Sequence, residues 1–159
     1  MPNIKKTNAA RILDQMKISY ELIEYTVDEN NLGAAHIAEQ LGQPIEQLFK
    51  TLVLRGDRNG LFVCVIPSAE EVDLKKAAKA TGNKKCDLIP MKELLPTTGY
   101  IRGGCSPIGM KKFFTTVIHR SAEEKERIMF SGGKIGFQIE MALSELKKAI
   151  PFSLADITV

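Results

Sequence analysis

Apolar positions along this chain fall into two periods. Behind Thr7, which can cap a helix, Ala9, Ile12, Leu13 and Met16 recur at the 3.6-residue spacing of an amphipathic helix. Residues 20–27 (YELIEYTV) then alternate and are rich in aromatic and β-branched side chains, which predicts a half-buried strand. A short helix over 34–41 is stopped by Gly42. Two apolar runs, FKTLVLR (49–55) and LFVCVIP (61–67), flank Gly56-Asp57-Arg58-Asn59-Gly60. They predict a hairpin whose glycines and asparagine permit the positive φ of a tight reversal. Asp73 ahead of Leu74, Ala77 and Ala78 starts another helix by capping logic. KCDLI (85–89), FFTTVIH (113–119) and KIGFQIEM (134–141), in which Ile135, Phe137 and Ile139 alternate, predict further strands, and a last helix runs near 144–149.

Strands and helices follow one another irregularly, by hairpin here and by helix there, with no repeat, linker or change of composition. The expectation is one α+β domain over residues 1–159, built on a mixed sheet. With 44% hydrophobic and 26% charged residues, the chain has the make-up of a globular protein. Its longest apolar runs fall far short of the roughly 20 residues that span a bilayer, and its start has no apolar run of signal-peptide length. A cytoplasmic protein without membrane partners is expected. Cys64, Cys86 and Cys105 stand far apart with two histidines in the chain, so no metal site is expected.

The net charge of +3 is slight, but Lys75, Lys76, Lys79, Lys84 and Lys85 lie together with no acidic residue between Asp73 and Asp87. This is either a solvated lysine face or a footprint for phosphates. Lys50 sits in an otherwise apolar strand, where a charge is costly unless it reaches water, a partner or a ligand; it is a functional candidate or a snorkelling edge residue. Gly103-Gly104-Cys105-Ser106-Pro107-Ile108-Gly109 can form a tight loop whose backbone N–H groups bind an anion or a carbonyl oxygen. Ser131-Gly132-Gly133-Lys134 is a second loop of this kind, or simply the turn before a strand. No local signature supports a nucleophile and base: Cys64 reads as core, His119 as a strand end, and His36 has no companion.

Taken in order, KTNAARILDQMKISYELIEY, FKTLVLR, VDLKKAAKATGNKK, TGYIRGGCSPIGMKK and SGGKIGFQIE resemble the YbaK/EbsC family over almost the whole chain. The resemblance implies a mixed, barrel-like sheet surrounded by helices, related to the editing domain of bacterial prolyl-tRNA synthetases. It implies trans-editing, the hydrolysis of the ester that joins a mistaken amino acid to tRNA, and the GGCSPIG form resembles the branch acting on cysteine carried by tRNA(Pro). A pocket separates cysteine from proline poorly, because about one methylene is worth only roughly 1–3 kcal/mol, so prolyl-tRNA synthetase is an implied partner. No cofactor is implied.

The family's lysine maps onto Lys50, its strand tyrosine onto Tyr25, and its substrate loop onto Gly103, Gly104, Ser106 and Gly109, with Ser131, Gly132 and Gly133 as the second turn. On this resemblance the thiol of the bound cysteine attacks its own ester, forming a five-membered thiolactone, and no protein nucleophile is needed. Tyr25 either orients the substrate or fills space. Ile135 stands where relatives often carry arginine, and Cys105 where an aliphatic residue is common; a thiol at that place, if exposed, is open to oxidation. The rivals are a deacylase for alanyl- or seryl-tRNA and a non-catalytic module binding tRNA or a synthetase.

Overall fold

The computed structural model describes residues 6–27 and 33–159. Helix α1 (Asn8–Gln15) is capped as its sequence requires, the Thr7 hydroxyl accepting the Ala10 N–H at 3.2 Å. Ala9, Ala10 and Leu13 are buried, whereas Met16 is the C-cap and is 47% exposed, so the inward stripe ends one turn early. Strand β1 (Glu21–Glu24) is half the length expected, because only those residues find a partner. Helix α2 (Ala34–Leu41) ends at Gly42 in the left-handed conformation.

Strands β2 (Phe49–Gly56) and β3 (Gly60–Pro67) form the predicted hairpin, Gly56 facing Gly60. Of the turn residues expected to take positive φ, Gly60 alone does so, at 71°. Gly56 serves close approach instead: a Cβ there would lie 2.2 Å from the Asn83 side chain. Helix α3 (Leu74–Ala80), capped by Asp73, leads into β4 (Cys86–Leu88). Helix α4 (Met91–Thr98) was not predicted; its interior Pro96 argues against a helix, since proline forfeits an amide bond there. Strands β5 (Thr115–His119), β6 (Ile128–Ser131) and β7 (Phe137–Met141), helix α5 (Leu143–Ala149) and β8 (Ser153–Ala155) complete the chain. β6 and β8 also escaped prediction, being runs too short for periodicity to register.

The architecture is α+β. A mixed five-stranded sheet has the order β4-β2-β3-β5-β8, antiparallel on the β2 side and parallel through β5 and β8. A second, antiparallel sheet has the order β1-β7-β6. The two meet at a parallel bridge between Leu48 and Met129. The expected barrel-like sheet is therefore two sheets in contact, not a closed ring. Phe49, Val53, Val63, Val65 and Ile118 from one sheet pack against Ile128, Phe130 and Ile139 from the other, with Leu13 and Leu146 at the helices. On the opposite face Leu54, Phe62, Cys64 and Ile66 pack on Ala77 and Ala78 of α3. Burial on both faces explains why β3 reads as an unbroken apolar run instead of alternating.

Candidate functional site

β2 is covered along one edge by two neighbours that diverge. β4 pairs with it from Leu54 onward, its last bond running from the Ile89 N–H to the Val53 carbonyl. β6 is bridged to the chain just before the start of β2, through Leu48 and Met129. Between these points, among the described residues, no strand pairs with the edge at Lys50, Thr51 and Leu52. A cavity of about 900 Å³ opens here, walled by Leu88, Ile89, Met91 and Leu94. It adjoins a smaller one of about 340 Å³ walled by Ile37, Leu48, Ser68, Ser131 and Gln138. Lys50, Thr51, Arg102, Gly103 and Cys105 line both. Lys50 makes no ion pair among the described residues, and the Thr51 hydroxyl is buried without a hydrogen-bond partner.

The glycine-rich loops do converge. A Cβ on Gly103 would lie 3.5 Å from the Ile135 side chain, and one on Gly104 would lie 3.4 Å from the Ile135 amide nitrogen. Behind them Tyr100 acts as a shared wedge. A Cβ on Gly109 would be 2.8 Å from its hydroxyl oxygen and one on Gly133 3.1 Å from its ring, and both glycines have positive φ, 82° and 100°. The hydroxyl of Tyr100 donates to the Ile108 carbonyl, and burial pushes its pKa up to about 12. The Tyr100 N–H is in turn held by the Thr98 hydroxyl at the end of α4. The unforeseen helix and the two loops are thereby one unit.

Three of the residues picked out in the sequence, Lys50, Gly103 and Ser131, line the smaller cavity together. Gly104 lies just beneath, its N–H already given to the Ile101 carbonyl at 3.0 Å. Ser106 is fully buried and accepts the Ile108 N–H, so its hydroxyl shapes the turn. Gly109, Gly132 and Gly133 serve packing, Gly132 against Phe137 and Leu22. Tyr25 is buried beyond β1, its N–H bonded to the Gly136 carbonyl, and does not line the cavities. Cys105 does not meet the condition for ready oxidation: it is 7% exposed, and burial raises its pKa to about 12, so it meets the cavity as a neutral thiol. Sequence reasoning missed Thr51, Arg102 and Gln138. The available signal was a threonine beside Lys50 and an arginine beside the GGC motif.

Elsewhere the candidates take structural roles. Cys64 is fully buried, its thiol pushed up to about 12 by burial. His119 accepts the Ile157 N–H on Nδ1 at 3.2 Å. Of the lysine cluster, Lys76 is tied to Asp156 at 3.0 Å and to the Thr158 carbonyl, while Lys75, Lys79, Lys84 and Lys85 remain exposed. Among the described residues there is no cluster suited to a metal, and no helix is long and apolar enough to cross a membrane.

The family model for the aminoacyl-tRNA editing domain matches residues 28–149. The chain belongs to this family. The editing domain is 47% identical over 97% of its length to EbsC of Enterococcus faecalis, named as a candidate Cys-tRNA(Pro)/Cys-tRNA(Cys) deacylase, of which it covers 94%. It is 28% identical over 56% of its length to the proline–tRNA ligase of Fervidobacterium nodosum, spanning only 15% of that enzyme. Among solved structures, the hypothetical protein APE2540 superposes with a TM-score of 0.87 at 21% identity, covering 96% of this chain and 100% of that one. A candidate trans-editing enzyme for prolyl tRNA synthetase gives 0.83 at 20% identity, with 96% and 98% covered. These two establish that the fold of the editing domain is shared.

Proposed function

We propose that this protein is a trans-editing deacylase that removes cysteine from mischarged tRNA(Pro), acting in the cytoplasm alongside prolyl-tRNA synthetase. The observation that carries this reading is one cavity in which Lys50, Gly103 and Ser131, drawn from three distant segments, meet. The resemblance to EbsC over nearly the full length supports cysteine as the amino acid. On this reading residues 1–159 form one deacylase domain.

On this reading the chemistry is substrate-assisted. The substrate sulfur attacks its own ester carbonyl, a C–S bond forms, the C–O bond to the ribose breaks, and the ribose oxygen takes up the proton. Water then opens the thiolactone to free cysteine. The ring runs through the carbonyl carbon, Cα, Cβ and sulfur, so it has four members, and the five-membered closure expected from the sequence does not hold. A four-membered ring is strained, which removes part of the advantage of about 10⁵–10⁸ M that good orientation confers. Stabilisation of the oxyanion therefore matters more. Lys50 and Arg102 are the cations that line both cavities; on this reading Lys50 meets the oxyanion, and the Gly103 segment supplies the adjoining backbone. Gly104 donates elsewhere and is not part of that hole.

The test is release of labelled cysteine from Cys-tRNA(Pro) by wild type and Lys50→Ala, with and without the synthetase, beside Ala-tRNA and Ser-tRNA. Release by wild type, absent in the variant, supports the reading. Cleavage of alanyl or seryl esters in preference to cysteinyl replaces cysteine as the substrate. Binding of tRNA with no cleavage of any ester reduces the protein to a binding module.

A further inference from the structure

Several lysines are spent within the fold. Lys76 is tied to Asp156 and to the Thr158 carbonyl, and Lys111 donates to the Pro96 carbonyl at 3.3 Å. Lys112 lies 5.3 Å from the centre of the Phe114 ring, and Lys148 pairs with Glu145 at 2.8 Å. Lys75, Lys79, Lys84 and Lys85 differ. All four are exposed, and none makes an ion pair among the described residues. No acidic residue lies between Asp73 and Asp87 to offset them, and the Asp73 carboxylate is engaged with the Lys76 N–H at the start of α3. Like charges four apart on a helix, as Lys75 and Lys79 are, oppose its stability, so the fold gains nothing from this group.

Local geometry nevertheless holds the four in place. Lys75 and Lys79 share one face of α3. Lys84 and Lys85 lead into β4, and the Asp57 carboxylate accepts both their N–H groups, at 2.9 and 3.2 Å, which fixes their backbone against the hairpin turn. With Arg58 beside it, that carboxylate does not neutralise the group. The Cys86 thiol donates to the Leu74 carbonyl at 3.2 Å and joins the start of β4 to the start of α3. From this basic end β4 runs to Leu88 and Ile89, which line the larger cavity. The distance from Lys85 to Leu88 is about 10 Å of extended chain. Leu88 is 51% exposed, so the cavity reaches the surface at that end of the strand.

Resting on the deacylase reading, we propose that Lys75, Lys79, Lys84 and Lys85 form the docking surface for the phosphate backbone of the tRNA beyond its aminoacylated end. With the ester beside Lys50, RNA that leaves the cavity at Leu88 has β4 and then α3 next to it. Ammonium groups on flexible stems are point charges suited to phosphate oxygens. Residues 73–88 include no aromatic side chain on which a base could stack, so the contact is with phosphates and the surface does not read sequence. Protein–protein interfaces are depleted of lysine, which favours RNA as the occupant.

In the experiment, binding is measured with uncharged tRNA(Pro), and cleavage with Cys-tRNA(Pro) beside cysteinyl-adenosine, an ester that lacks the rest of the RNA. Lys84→Gln with Lys85→Gln, and Lys75→Gln with Lys79→Gln, should each weaken tRNA binding about tenfold at about 50 mM salt. Each pair should also flatten the dependence of log K on log[salt] by about 1.4–1.8, the share of two phosphate contacts. Both pairs should raise KM for Cys-tRNA(Pro) by the same factor, leave its kcat unchanged and cleave cysteinyl-adenosine as wild type does. Lys147→Gln with Lys148→Gln removes the same charge from α5 and should change none of these. Unchanged tRNA affinity in either pair, or an equal loss in the α5 pair, overturns the proposal even if Cys-tRNA is cleaved. Slowed cleavage of cysteinyl-adenosine would put the lysines in the reacting site and overturns it too. So does retained tRNA affinity with lost affinity for prolyl-tRNA synthetase, which would make this a protein-docking surface. Lost tRNA binding by these variants of a protein that cleaves no aminoacyl ester leaves the footprint standing and removes the deacylase reading instead.

Discussion

The two ends of β2 are built from similar residue types and do opposite things. At the turn end, the buried Asn83 accepts the N–H groups of Arg58 and Asn59 at 2.9 and 2.8 Å and donates to the Thr81 hydroxyl. Asn59 bonds the Thr81 carbonyl, and the Asp57 carboxylate accepts the N–H groups of Lys84 and Lys85. At the cavity end, six residues earlier along the strand, the Thr51 hydroxyl is buried without a partner and Lys50 has no counter-ion among the described residues. A polar group that the fold satisfies stabilises the fold. One that the fold leaves open retains its desolvation cost until a ligand meets it. The contrast identifies the working end of the strand.

The sharpest way to break this contrast is to remove a charge from the open end. Lys50→Ala should lose about 10²–10³-fold in kcat, the typical cost of one oxyanion partner, with the melting temperature unchanged. Activity within a few-fold of wild type would take Lys50 out of the chemistry. The reverse is expected at the satisfied end, where Asn83→Ala should lower stability by about 1–3 kcal/mol, the cost of orphaning buried polar groups. In denaturant melts, kcat measured well below the midpoint should hold.

Thr51→Val, nearly isosteric, should raise stability by up to about 1 kcal/mol because it deletes an unsatisfied hydroxyl. It should also slow deacylation several-fold; a variant that is both stabilised and fully active would make Thr51 a packing residue. The smallest effect is at Asp57. Desolvation pulls its pKa up, but the N–H groups of Lys85 and Lys84 outweigh that and hold it below 3.8. A depressed carboxylate stabilises fully above its ordinary pKa, and that stabilisation is lost as pH falls through the folded value. Asp57→Asn should therefore flatten the loss of stability below about pH 4, measured by acid titration; an unchanged acid midpoint would rule out this contribution.

How much of this was legible beforehand depended on the range of the interactions. The hairpin, the caps at Thr7 and Asp73 and the stop at Gly42 are decided within a few residues, so local pattern showed them. The glycine loops were visible as composition, but not which glycine works and which packs. Gly109 and Gly133 are separated by 24 positions, and the ring of Tyr100 joins them only in three dimensions. Helix α4 contradicts its own Pro96 and forms because Leu94 packs on the core and Thr98 is bonded into the adjoining loop. Tertiary packing overrides propensity there, as it commonly does.

By itself the sequence determined the alternation of elements, the continuous apolar run of β3 and the presence of a lysine that an apolar strand does not need. All are properties of neighbours along the chain, enforced by backbone geometry and the burial of side chains. Only the tertiary structure decided that β4 and β6 part company beside Lys50, that Cys105 is buried and neutral, and that aliphatic side chains of α4 line the larger cavity. Cavities form where elements fail to cover one another, and that depends on contacts between residues far apart in sequence.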